Sequence, residues 1–164
     1  MRNAKKTIAC MATLAVVFAM QSAMAQSAKL EGVWRITEVT ISGPNTQTYT
    51  NLPPTSLLIF TKRHYSIMYD RATTDKPRPS LPRENATDAQ KLAAWTPFTA
   101  NAGTYEVKGT TVTTRPVVAK NPNAMEASTT FDSKIEGNTL SLTAKANAAG
   151  PIANPPIFKL VRLE

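Results

Sequence analysis

Cysteine is nearly missing from this chain: Cys10 is the only one in 164 residues. Downstream of it no disulfide, thiolate nucleophile or cysteine-ligated metal is possible, so stability has to come from a packed core. Histidine is equally scarce, with His64 alone. One imidazole cannot assemble a soft-ligand metal centre, and Asp70, Asp75, Asp88 and Asp132 follow no calcium-loop spacing, so no metal or cofactor is expected. No Gly-x-Ser-x-Gly turn is present to carry a serine nucleophile. The six glycines form no phosphate-cradling loop. No apolar run reaches the roughly 20 residues that span a bilayer as a helix.

What is present begins with a leader-like pattern. Arg2, Lys5 and Lys6 precede an uncharged apolar run from Thr7 to Met20, and Ala23-Met24-Ala25 stands ahead of Gln26. A basic stretch, an apolar stretch and a small-x-small site together predict a cleavable signal peptide over residues 1–25, and hence export to the periplasm or beyond the cell. A lipoprotein reading would acylate Cys10, but Thr7-Ile8-Ala9 lacks the usual leucine. Cleavage would leave Gln26 to Glu164, a length that suits one domain with its own core. It would also leave 16 basic against 11 acidic residues, a net charge of +5. The basic residues are scattered, the nearest to a patch being Lys62-Arg63 and the set Arg71, Lys76, Arg78 and Arg83. Such scattering describes a solvated surface, and neither a nucleic acid nor a membrane span of the mature chain is expected.

β-Branched and aromatic residues fall in short runs separated by Gly, Pro and Asn, which predicts strands. Eight are read: Val33 to Ile41, Ser56 to Thr61, Tyr65 to Tyr69, Thr104 to Val107, Thr111 to Val118, Thr129 to Ile135, Thr139 to Ala144 and Ile157 to Leu163. Leu140 and Leu142 alternate with Thr139, Ser141 and Thr143, the period of a half-buried strand. Short turns at Lys108-Gly109 and Glu136-Gly137-Asn138 make sequential strands antiparallel neighbours. Asp70 to Leu81 is rich in Pro, Thr and charge, and Thr87 to Trp95 reads as a short helix capped by Thr87 or Asn85 and stopped by Pro97. The expectation is an all-β fold, either an up-and-down barrel or a two-sheet sandwich, with one short helix in a long loop.

Four motifs narrow this. Gly32-Val33-Trp34 opens the first strand, Ala102-Gly103-Thr104-Tyr105-Glu106-Val107 follows the helical excursion, Gly137-Asn138-Thr139-Leu140-Ser141-Leu142 forms a late hairpin, and Arg162 sits in the last strand. In this order the chain resembles the lipocalin-like family of small secreted or periplasmic proteins. The resemblance implies an eight-stranded antiparallel calycin-type barrel with an interior cavity and small-molecule binding as its default activity. It departs from true lipocalins in lacking a disulfide and in its long proline-rich insert. Gly32, Trp34 and Arg162 then read as closure residues at one end, with the guanidinium stacked on an aromatic ring such as Trp34.

The candidate ligand-binding residues are Tyr65, Tyr69 and Tyr105 in the wall, Arg115 in its run of threonines, and Trp95 and Phe98 on a segment, Arg71 to Phe98, that would cover the mouth. The same segment also reads as a surface loop over a sheet edge. Three functions remain open on sequence: a carrier of a small apolar or amphipathic molecule, a metal-free isomerase or cyclase using a single acid or base, and an interaction protein with a filled barrel. No catalytic residue is assigned, and the oligomeric state is not legible.

Overall fold

The computed structural model describes residues 29–164; the signal peptide expected over residues 1–25 lies outside the described residues. Ten strands run in the order β1 (Gly32–Ile41), β2 (Gln47–Tyr49), β3 (Ser56–Phe60), β4 (His64–Asp70), β5 (Phe98–Lys108), β6 (Thr111–Ala119), β7 (Thr129–Glu136), β8 (Thr139–Asn147), β9 (Gly150–Pro151) and β10 (Pro156–Arg162). One helix, α1 (Asp88–Trp95), separates β4 from β5, and a 3-10 turn, Pro122–Glu126, separates β6 from β7.

Eight of these strands close on themselves in the circuit β10-β1-β3-β4-β5-β6-β7-β8, with β8 pairing back to β10. All ladders are antiparallel. This is the eight-stranded barrel anticipated from the sequence, and the sandwich is excluded because no strand of the circuit has a free edge. The short strands β2 and β9 were not anticipated; they extend β1 and β8 at one end. β5 also begins at Phe98, upstream of the expected start.

Alternation places the core. In β8, Leu140, Leu142 and Ala144 are buried, and Leu140 and Leu142 meet Leu160 and Phe158 of β10 across the ladder. Trp34, Ile36, Leu58, Phe60, Tyr65, Tyr105 and Val112 complete the packed interior. The up-and-down order puts the tight turns β3–β4, β5–β6 and β7–β8 at one end, the floor. The four long connections, including α1 and β2, lie at the other, the mouth.

The floor is sealed by Trp34, which is fully buried and donates its indole N–H to the Leu30 carbonyl at 2.9 Å. The Arg162 guanidinium carbon stands 4.1 Å from the centroid of the Trp34 ring. Gly32 is required beside it, because a Cβ there would stand 2.4 Å from the Arg162 Nη1 atom, and its φ of +133° is one that side-chain-bearing residues rarely adopt.

A capping box starts α1: Thr87 accepts from the Gln90 amide and the Gln90 side chain accepts from the Thr87 amide. Among the described residues no helix is long and apolar enough to cross a membrane.

Candidate functional site

The barrel is filled at its floor and open at its mouth, and the backbone of β1 explains the difference. β1 pairs with β3 only from Gly32 to Trp34, then diverges to pair with β2 from Val39 to Ile41. At the point of divergence the Ile36 amide donates to Ser56 Oγ at 2.9 Å, so the lost ladder bond is replaced by a side chain. A bulge in the β1–β10 ladder between Ile36 and Glu38 inserts Thr37 as an extra residue. The insertion resets the alternation, so Ile36 and Val39, three apart, both face inward.

The gap so opened is a cavity of about 350 Å³, within the range of small-molecule sites. Its wall is Ile36, Val39 and Ile41 of β1, Pro156 and Phe158 of β10, Tyr69 of β4, and Tyr49, Leu52 and Pro53 from the β1–β3 connection. Polar groups are few: Ser56, the Tyr69 hydroxyl, Asp70 and Arg71. The Tyr69 ring meets Phe158 edge-on at 5.9 Å, and its hydroxyl makes no hydrogen bond to another described residue. Asp70 accepts from the Ala72 amide at 3.0 Å and Arg71 donates to the Thr96 carbonyl at 2.8 Å. The arrangement is an apolar chamber with polar groups at its rim, suited to holding a molecule by shape and one or two hydrogen bonds.

Of the six residues proposed from sequence to line the cavity, Tyr69 alone does so. Tyr65 and Tyr105 belong to the packed floor half, flanking Phe60 at 6.4 and 5.3 Å between ring centroids. Their hydroxyls are satisfied inside the protein: Tyr65 donates to Asn101 Oδ1 and Tyr105 to the Thr61 carbonyl, each at 2.7 Å. Burial pushes the Tyr65 phenol up to about 12, outweighing the opposing hydrogen bond with Thr114. Arg115 points outward and pairs with Glu106 at 2.8 Å. That hydrogen bond first, then the charges of Arg115 and Lys108, hold the Glu106 carboxyl below its ordinary range.

The aromatics of the long segment also lie outside. Thr99 and Asn101 stand opposite Tyr69 and Ile67 on the inner face of the sheet, so Phe98, paired with Asp70, falls on the outer face. Trp95 lies against Phe98, ring centroids 6.5 Å apart and planes tilted by 53°, and is half exposed. Within the segment expected to cover the mouth, only Arg71 lines the cavity. The remainder is the surface connection between β4 and β5.

Phe158 was within reach of sequence reasoning, since alternation from Leu160 puts both on one face. Ile36 with Val39, Leu52 and Pro53 were not, because nothing local marks the bulge or the divergence. Among the described residues there is no group of three or more His, Asp or Glu placed to hold a metal ion.

Comparison with known families finds one match: the profile of the lipocalin-like domain fits residues 31–153. Neither the curated proteins nor the solved structures yield a match to this chain.

Proposed function

The chain belongs to the lipocalin-like domain family, and from that premise we propose that it is an exported carrier that takes a small apolar or amphipathic molecule into the mouth half of its barrel. The observation that carries the reading is the apolar chamber beside Phe158, bounded by Ile36, Val39 and Leu52 and edged by the Tyr69 hydroxyl, which makes no hydrogen bond to another described residue. An apolar body enters the chamber and a single hydroxyl, carbonyl or amine stays at the rim with Tyr69, Ser56 or Asp70. The basic and apolar N-terminal stretch ending in Ala23-Met24-Ala25 supports export, with cleavage before Gln26.

Titration with an apolar fluorescent probe tests the carrier reading. Micromolar binding is expected, about −8 kcal/mol. Val39→Trp fills the chamber and abolishes binding while leaving a cooperative unfolding transition. A well-folded protein that binds no probe, or a Val39→Trp variant that binds it normally, overturns the proposal.

A further inference from the structure

The outer side of the mouth carries a surface that the cavity does not use. Seven of the eight residues of α1 are exposed, Ala94 being the exception. Leu92 and Trp95, one turn apart, are 64% and 53% exposed, and Leu81 and Val118 stand out as well. Isolated exposed apolar residues need no explanation, but Leu81, Leu92 and Trp95 are contiguous. Leu81, Leu92 and Trp95 border one shallow depression, and Trp95 continues onto Phe98. Val118 lies two residues before Lys120, whose ammonium sits 5.0 Å from the Trp95 ring.

Three cations frame these residues. Lys120 donates to the carbonyls of Trp95 and Phe98, Arg78 donates to the Ala94 carbonyl at 2.7 Å, and Arg71 donates to the Thr96 carbonyl at 2.8 Å. All are gathered on the carbonyl end of α1, where the helix dipole favours positive charge. Arg78 also lies over the Phe98 ring, 4.9 Å from its centroid. None of the three forms an ion pair with a described carboxylate; the ion pairs among the described residues involve other groups. Desolvation, and after it the charges of Arg71 and Arg78, hold the Lys120 ammonium below the ordinary lysine value. Like charges have thus been brought together and fixed by main-chain oxygens, with no carboxylate paired to them among the described residues.

We propose that the patch around Trp95, Lys120, Arg78 and Arg71 is a docking surface for an anionic phospholipid bilayer. An indole with exposed aliphatic neighbours settles at the boundary between headgroups and acyl chains. The three cations, which no described carboxylate pairs, meet lipid phosphates there, which relieves the repulsion among them. A flat fluid surface suits an outward eight-residue helix better than a protein partner does, since a stable protein interface needs a larger matched area. Arg71 belongs both to this surface and to the cavity rim, so docking sets the mouth against the membrane. The inference rests on surface residues alone and stands independently of the carrier reading.

The experiment uses the form of the chain that the cell accumulates, purified without detergent and mixed with vesicles of phosphatidylglycerol and phosphatidylcholine or of phosphatidylcholine alone. Of the two tryptophans, Trp34 is fully buried, so changes in emission report Trp95. Binding to the anionic vesicles only, reversed by salt and accompanied by quenching of Trp95 by bromine-labelled lipid, is the expected result. Lys120→Gln weakens partitioning about fivefold, the share of one interfacial cation. Arg78→Gln does the same and serves as the check if Lys120→Gln loosens α1. A protein that takes up the apolar probe but ignores anionic vesicles overturns the docking surface and spares the carrier reading. Vesicle binding unchanged by both Gln variants and by Trp95→Ala overturns it too, as does an acidic protein partner captured through the patch while vesicles are ignored.

Discussion

Arg162 and Trp34 face each other across the ladder that closes the barrel, the guanidinium carbon 4.1 Å from the indole centroid. The same guanidinium donates to the main-chain carbonyls of Lys29 and Glu31. It therefore clamps the segment before β1 as well as covering the ring, which a point charge on a flexible stem does not do. Trp34→Ala is expected to cost about 3 to 5 kcal/mol. Arg162→Lys keeps the charge but should still lower the urea midpoint well below wild type. A midpoint for Arg162→Lys equal to wild type would show that charge alone suffices there.

Gly103 gives a sharper steric test. β6 bulges past it at Val117, and a Cβ at residue 103 would stand 2.0 Å from the Arg115 carbonyl oxygen and 2.8 Å from Pro116 Cα. Both neighbours are main chain and cannot swing aside, so Gly103→Ala should destabilise by about 1 to 3 kcal/mol or more. Chemical denaturation reads this directly, and a neutral effect would mean that the β5–β6 ladder gives way at little cost.

Trp95 and Arg115 should be silent toward a ligand in the barrel. Trp95 lies outside the cavity and Arg115 pairs with Glu106 on the outer surface. Trp95→Ala and Arg115→Ala are expected to leave probe affinity unchanged, whereas Tyr69→Ala should reduce it. Fluorescence titration of the three variants decides the matter, and a large loss from Trp95→Ala would return the long segment to the mouth.

Burial of Tyr65 makes stability fall in alkali. Burial pushes its phenol up to about 12 from the ordinary 10.0, so the neutral form is favoured by folding. The contribution is complete below pH 10 and is lost as pH rises toward 12, on the order of 2 kcal/mol. Tyr65→Phe should remove that part of the alkaline slope. Denaturation midpoints measured across this window for both proteins would agree in slope if Tyr65 were not the source.

The barrel was legible because half-buried strands announce themselves by period two, and because Gly32, Trp34 and Arg162 occupy places whose chemistry is hard to explain otherwise. The cavity wall was not. It depends on Thr37 being an extra residue in β1, which leaves no mark in composition, and on the β1–β3 connection, whose Leu52 and Pro53 show no periodicity. The misplacement of Phe98 has a simple origin. Tyr105 and Phe98 are seven residues apart, an odd interval, so one regular strand cannot turn both inward. That constraint becomes visible only once β5 is known to reach back to Phe98. Trp95 follows its neighbour outward, because a large aromatic in sequence announces burial or binding without saying which face it serves.

The ladder between β1 and β10 joins residues at the two extremes of the described chain, Trp34 opposite Arg162, whereas most of the others join strands adjacent in sequence. Loop closure makes the distant pairing the most expensive in entropy and local hairpins the cheapest. We therefore expect folding to pass through an open, curled sheet whose two unpaired edges, β1 and β10, meet last. Pulsed hydrogen exchange should find the amides of the β7–β8 hairpin protected before that of Val161, which faces Arg35 of β1, and simultaneous protection would contradict this order. Until the edges meet, each is a template for another chain, so the Trp34–Arg162 contact also ends the interval in which newly made protein is open to aggregation.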